Sequence, residues 1–488
     1  MSRVLACILP LLALTLVSCG SADDATVSVA VIGEEDPLTG EGLRLSVAGQ
    51  LVRSATREGL VTLDASGEVV PAIAERWIVT DDGLSYIFRI RNSDWPDGTP
   101  ITAPAVRDRM RQNLAALRGT SLGLDLAPIA EIRAMTGRVV EIRLTGPMPG
   151  LLQLLAQPEL GLERGDTGAG PMLAEPAEAG VSLAAVPPSS RGFPQPEEWQ
   201  EFYRTVLVQV APAEQAVAAF DGGDVNLVLG GTIVDLPYAD TGGLSRGTIR
   251  LDAALGVLGL DVMRDEGFLA ETANREAVAM AIDRDQLMQP FNIGGWIATT
   301  RIVAPGLPDD DGTVPERWID LEIEDRQARA RARVEAWERA SGEDLTLRIY
   351  LPQGPGADML FTQIARSLAE AGISSQRADN PGAADLVLKD RLARFAGSRW
   401  FLNQFHCRIT EGPCSPGADA LVRQSLTVAS RTEQASLLAE AERLMLAENL
   451  FIPLGAPIRW SLVRGGLDGF NENRWSVHPL FDLAERPI

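Results

Sequence analysis

The chain has 488 residues, more than one ordinary hydrophobic core accommodates, so two domains or lobes are expected. A hydrophobic fraction of 45% beside 23% charged residues is that of a soluble globular protein, and the formal net charge of −22 argues against nucleic acid or an anionic membrane surface as partner. The basic residues are almost all arginine, with Lys389 the only lysine, which reads first as a compositional bias.

Residues 1–18 read as a secretory signal: Arg3, then the apolar run Val4–Val17, too short and too early for a transmembrane anchor. Leu16-Val17-Ser18-Cys19 resembles the bacterial lipobox, which implies cleavage before Cys19 and a lipid on its thiol. The other reading is a plain signal cut near Ser21 or Ala22. No later run is long and apolar enough to span a bilayer. The expected location is therefore the periplasm or the outer side of the membrane, with a lipid anchor. Cys7 leaves with the signal, so Cys407 and Cys414 remain, seven apart across Gly412-Pro413. In an oxidising compartment they would close a small loop; free thiols are the alternative. His406 and Cys407 are adjacent, a poor chelating pair, and His478 is the only other histidine, so no metal site is expected.

In chain order, Thr26–Ile32 is an apolar strand and Leu43–Ala55 a helix. Gly59–Leu63, the turn Asp64–Gly67, Val69–Ala74, Glu75–Thr80 and Leu84–Arg91 alternate turn residues with period-two runs, which predicts antiparallel β-structure. Ala103–Leu117 follows as a helix with Thr102 as cap and Pro104 in its first turn. Ile129–Ala134 and Val139–Leu144 read as paired strands. Thr205–Val210, Pro212–Phe220 and Val225–Leu229 form a strand–helix–strand unit, with glycines 222 and 223 where the helix stops. A second unit comprises Leu345–Leu351, Ala357–Glu370 and Asp385–Leu388. Such units predict parallel pairing with helices packed on the sheet, so both lobes should be α/β. Ser430 and Glu433 form a capping box ahead of the helix Thr432–Glu448.

Between Arg57 and Ala105 the words REGLV, LDASGEVVPAIAERW, DDGLSYIFRIR and DWPDGTPITAPAV follow one another. Together they resemble the opening of the family 5 extracytoplasmic solute-binding proteins, the dipeptide-, oligopeptide- and nickel-binding components of ABC importers. GRVVEIRLTGPMPGLLQLLAQP, GDTGAGP, FDGGDVNLV, ANREAVAMAIDRDQLM and the return strand Phe451–Leu454 extend the resemblance. Glu175–Gln200, rich in Pro, Ala and Ser, departs from it.

The resemblance implies a periplasmic-binding-protein-like α/β fold. Two lobes of mixed sheets flanked by helices would surround a central ligand cleft, the first lobe carrying an extra β-rich subdomain. The implied division is a signal at 1–18, lobe 1 with its insert at 19–258, lobe 2 at 259–450, and a return segment at 451–488 completing lobe 1. The implied function is that of a lipoprotein that captures a peptide or small polar solute and delivers it to an ABC permease and its ATPase. It would act as a monomer, with no cofactor and no nucleic acid. An orphan receptor for sensing or regulation is the other reading.

Catalytic signatures are sparse: there is no G-x-S-x-G elbow, no His-rich metal spacing and no plausible Cys/His pair, so no enzyme is expected. For the cleft, the resemblance implies an aspartate that meets the peptide amino group, and aromatic walls, just after the second strand–helix–strand unit. The stretch there is DLVLKDRLARFAGSRWFLNQFHCRITEGPC, without the family's D-x-P pair. Asp390 lies near the expected place beside Arg391 and Arg394, and Trp400, Phe401 and Phe405 are candidate walls. Arginines facing the cleft would suit an acidic ligand. The alternatives are a solvated loop for the charges and core packing for the aromatics. Arg57 and Glu58 are expected at the cleft edge or in a structural ion pair. Trp77 and Trp95 read as packing residues.

Overall fold

The computed structural model describes residues 25–34, 45–239 and 247–486. The expected signal, Cys19 and most of the loop 33–42 lie outside the described residues. Thr26–Ile32 is the strand on which the first sheet is assembled. Val27, Val29 and Val31 face one packed side and Ala30 and Ile32 the other, and the strand pairs in parallel with Thr205–Ala211 on one side and Leu227–Thr232 on the other. The connecting helix, Ala213–Gly222, ends where Gly223 takes a left-handed φ of 90°, a conformation that glycine adopts without strain. Met172–Ala177 and Gly180–Ala185 extend the sheet at one edge. Arg459–Val463 and Ile249–Asp252 complete seven strands at the other, in antiparallel pairing.

The second sheet has five strands, in the order Ser374–Arg377, Thr346–Tyr350, Leu386–Leu392, Gly256–Val262, Phe451–Gly455. The first two pairings are parallel and carry the helix Pro355–Glu370; the last two are antiparallel. Both lobes are therefore mixed α/β. A separate four-stranded antiparallel sheet comprises Ala74–Val79, Ser85–Ile90, Val139–Leu144 and Ile129–Met135. Phe88, Ile90, Val140 and Ile142 are fully buried beneath its helix Ala103–Ala116, and Trp95 is buried with them. Trp77 is half-buried, its ring 6.4 Å from that of Phe88. That core runs on into lobe 2, through the helices Ser398–Asn403 and Arg431–Glu448.

The chain passes between the two large sheets at residues 253–255 and again at 456–458. Both expected lobe boundaries therefore move. The strand Gly256–Val262 belongs wholly to the second sheet, so lobe 2 begins before 259. Phe451–Gly455, expected to lead back into lobe 1, is hydrogen-bonded along Gly256–Val262 and is an edge strand of lobe 2. The strand that returns to lobe 1 is Arg459–Val463. Gly256 allows the crossover to run close to its neighbour, since a Cβ there would lie 2.0 Å from the carbonyl oxygen of Arg391. The tail then packs on lobe 1. Trp475 Nε1 donates to the carbonyl of Gly67 (2.9 Å), and Leu480 and Leu483 join the core behind the first sheet.

Candidate functional site

A cavity of about 510 Å³ is walled by both lobes and reaches Arg459, the first residue after the second crossover. The helix Val47–Thr56 contributes Gln50, Leu51 and Ser54, and the strand Leu227–Thr232 contributes Leu229 to Thr232. Residues 390–394, Trp400 and Gln404 come from lobe 2, and residues 475–482 from the tail. A second cavity, of about 620 Å³, opens at the crossovers among Leu251, Leu255, Ile302 and Phe451. Although larger, it carries fewer ionisable groups. The first is the candidate site because charged side chains from both lobes converge there.

Nearly all of those charges are already paired. Asp390, two residues from the end of its strand and opposite Leu258, accepts both Nη atoms of Arg459 at 2.7 and 2.9 Å. Arg459 opens the returning strand of lobe 1, so this bidentate pair ties one sheet to the other. Arg394 donates to Glu159 at 2.8 Å and to Gln157 at 3.2 Å. Glu58 is buried and accepts from Arg191 at 3.1 Å; burial pushes its carboxyl up, against the pull of Arg191 and Arg91. His478 Nε2 lies 3.2 Å from Asp252 Oδ2, and its ring stacks on Phe470. Asp482 accepts the backbone N–H of Ala65 at 2.6 Å; burial, then the neighbouring Glu485 and Asp64, push its carboxyl up to about 6. Arg391 is exposed, and its side chain makes no hydrogen bond or close ion pair with any described residue, although its charge acts on Asp261 and Lys389.

Five of the expected site residues, Glu58, Asp390, Arg391, Arg394 and Trp400, line this cavity. Trp400 serves as both wall and core: it is 2% exposed and meets Phe401 edge-on at 4.9 Å. Three expected residues lie elsewhere. Phe401 and Phe405 are fully buried core: the helix Ser398–Asn403 turns Phe401 inward, and the turn after it places Phe405 against Phe451 at 4.7 Å and under Lys389. Arg57 pairs with Glu163, which also attracts Arg53 (3.8 Å) and Arg109 (3.5 Å), away from the cavity. Cys407 and Cys414 are bonded to each other, with Cα atoms 5.2 Å apart. Among the described residues no group of His, Cys, Asp or Glu side chains is placed to hold a metal ion, and no helix is long and apolar enough to cross a membrane.

Residues 68–179 match the profile of the bacterial extracellular solute-binding proteins, family 5 Middle. Over that segment the chain is similar to this family. A probable deoxycholate-binding periplasmic protein of Escherichia coli is 33% identical over 121 residues, a match that spans 21% of this chain and 23% of that protein. A probable di/tripeptide-binding protein of Pseudomonas aeruginosa is 23% identical over 85% of this chain and 87% of its own length. In structure, Haemophilus influenzae OppA in complex with the peptide RPPGFSPFR superposes with a TM-score of 0.80 at 15% identity, covering 95% of this chain and 99% of that one. The likeness in fold thus extends far beyond the likeness in sequence.

Arg459, His478 and Asp482 are cavity residues that the sequence does not mark. They come from the returning strand and tail, 69 to 92 residues beyond Asp390, and no local word marks them as cleft residues.

Proposed function

We propose that this chain is the extracytoplasmic substrate-binding subunit of an ABC importer, anchored by lipid on Cys19, and that it takes a peptide or similar small solute into the cavity between its lobes. The observation that carries this reading is the cavity itself, which is walled by both lobes, whose sheets are joined among the described residues by two short crossovers. Its volume of about 510 Å³ is of the size that encloses a small organic solute. Leu51, Leu63 and Trp400 supply apolar wall, Gln50, Gln157 and Gln404 supply donors and acceptors, and the exposed ends of both sheets offer backbone groups. Rotation about residues 253–255 and 456–458 would bring the walls together over the solute, and the closed monomer would dock on the permease and its ATPase. The relatives' names give the range of solutes to be considered: di- and tripeptides in one case, deoxycholate in another.

The test is mass spectrometry of small molecules released from protein purified from native membranes. Wild type should be recovered in the detergent phase with a solute bound in about equimolar amount. Ser54→Trp, which fills the cavity, should lose the solute, and Cys19→Ala should move the protein to the aqueous phase. A solute retained by Ser54→Trp would show that it binds elsewhere.

A further inference from the structure

We propose that the cleft selects its solute by an acidic group held on Arg391, and that Asp390 is not an ammonium acceptor but one half of a fixed interlobe pair. This inference rests on the cavity between the lobes being the binding site. It follows from the pairing of each charge in the wall. Both oxygens of Asp390 face the guanidinium of Arg459 in a planar two-bond arrangement, the strongest form of carboxylate pairing among side chains. An incoming ammonium would have to share a carboxylate whose charge is already neutralised, beside a fixed positive group. Glu58 is likewise committed to Arg191, and Arg394 to Glu159.

Arg391 differs from all of them. It is the next residue along the strand from Asp390, lines the same cavity and is exposed; its side chain makes no hydrogen bond or close ion pair with a described residue, and feels the fields of Asp261, already paired with Lys389, and of Lys389 itself. Its guanidinium offers five N–H donors in a flat fork that matches a carboxylate. Among the described residues the other ionisable wall group without a charged partner is Asp482, on the tail helix Leu480–Ala484 at the lobe 1 side. It accepts a single backbone N–H and so has room for one further donor from the solute, such as an amide N–H; burial raises its carboxyl, which makes it a weaker anchor for a cation than an unshifted carboxylate. The complementary solute is therefore a carboxylate that needs no free ammonium. An N-blocked peptide acid and an apolar acid that is not a peptide both meet that description.

Isothermal titration calorimetry on the mature protein distinguishes these sources, with trialanine, N-acetyl-trialanine, N-acetyl-trialaninamide and deoxycholate as probes. At least one acid without a free amine should bind, N-acetyl-trialaninamide should bind at least tenfold more weakly than its acid, and Ser54→Trp should abolish binding. Arg391→Gln, at an exposed and unpartnered site, should weaken the acid at least tenfold with an unchanged melting temperature. Asp390→Asn frees the guanidinium of Arg459 and should leave acid binding equal or stronger, whereas loss of an ammonium anchor would weaken trialanine at least tenfold. The proposal is overturned if trialanine binds and no acid lacking the amine does, if Arg391→Gln has no effect, or if no probe binds. Binding of trialanine alone, blocked by Ser54→Trp, would leave the cleft as the site and remove only the acid selectivity. Acid binding that survives Ser54→Trp would refute the cleft itself.

Discussion

Asp125 closes the short helix Ser121–Asp125 with its side chain fully buried against lobe 2. Its Oδ1 accepts from Asn403 Nδ2 at 2.7 Å, and its backbone carbonyl accepts from Arg399 at 2.9 Å. Burial pushes the carboxyl up to about 7, against the pull of Arg399 and Asn403. Because the folded protein holds the proton more tightly than the unfolded chain, the contribution to stability is complete below the ordinary carboxylate pKa of 3.8 and is lost as pH rises towards 7. At 1.36 kcal/mol per unit the loss is at most about 4 kcal/mol. Asp125→Asn should therefore gain stability relative to wild type as pH rises from 5 to 8, as urea denaturation at each pH would show. A difference independent of pH would mean that Asp125 does not titrate in this window. Nothing in GLDLAPIA separates Asp125 from a surface helix end, since its partners lie more than 270 residues away. Asp390 shows the same limit differently. Its place near the cleft was legible from the resemblance, but its occupation by Arg459 was not, because that pairing is made by the crossover between lobes.

At the scale of elements, the helix Arg431–Glu448 was legible with its cap: Ser430 accepts the N–H of Glu433 at 3.3 Å. Its central role was not. Glu442, 1% exposed, accepts Arg301 at 2.8 and 3.3 Å and the backbone N–H groups of Ile302 and Val303 at 3.1 and 3.0 Å. One carboxylate thus fixes a whole connecting segment, and Arg301 is completed by Asp310 at 3.0 Å. Glu442→Ala would leave a buried guanidinium half-paired and should cost about 3–5 kcal/mol in denaturant unfolding. A loss under 1 kcal/mol would show that the segment rearranges around another partner. The strand Phe451–Gly455 teaches a related lesson. Every residue in it is buried, so its apolar run reads equally well in either sheet. Its register against Gly256–Val262 decides the matter, and register is a property of the pairing.

For the whole molecule, the α/β class of both lobes was readable because each contains a strand–helix–strand unit whose hydrophobic period changes at glycine stops. How the lobes face one another was not, since the two crossovers, and the tail that lines the cavity, are short segments without periodicity. Among the described residues the two sheets are joined at residues 253–255 and 456–458, and charged groups of the cavity wall pair across the lobes at Arg394–Glu159 and, next to a crossover, at Asp390–Arg459. This arrangement suits closure over a solute, with that pair keeping the crossovers in register. Small-angle X-ray scattering on wild-type protein, stripped of its co-purified solute and then resupplied with it, tests this most directly. The account predicts a radius of gyration that falls on resupply, with no change in Ser54→Trp. Stoichiometric binding at constant radius, or the same contraction in Ser54→Trp, would contradict it.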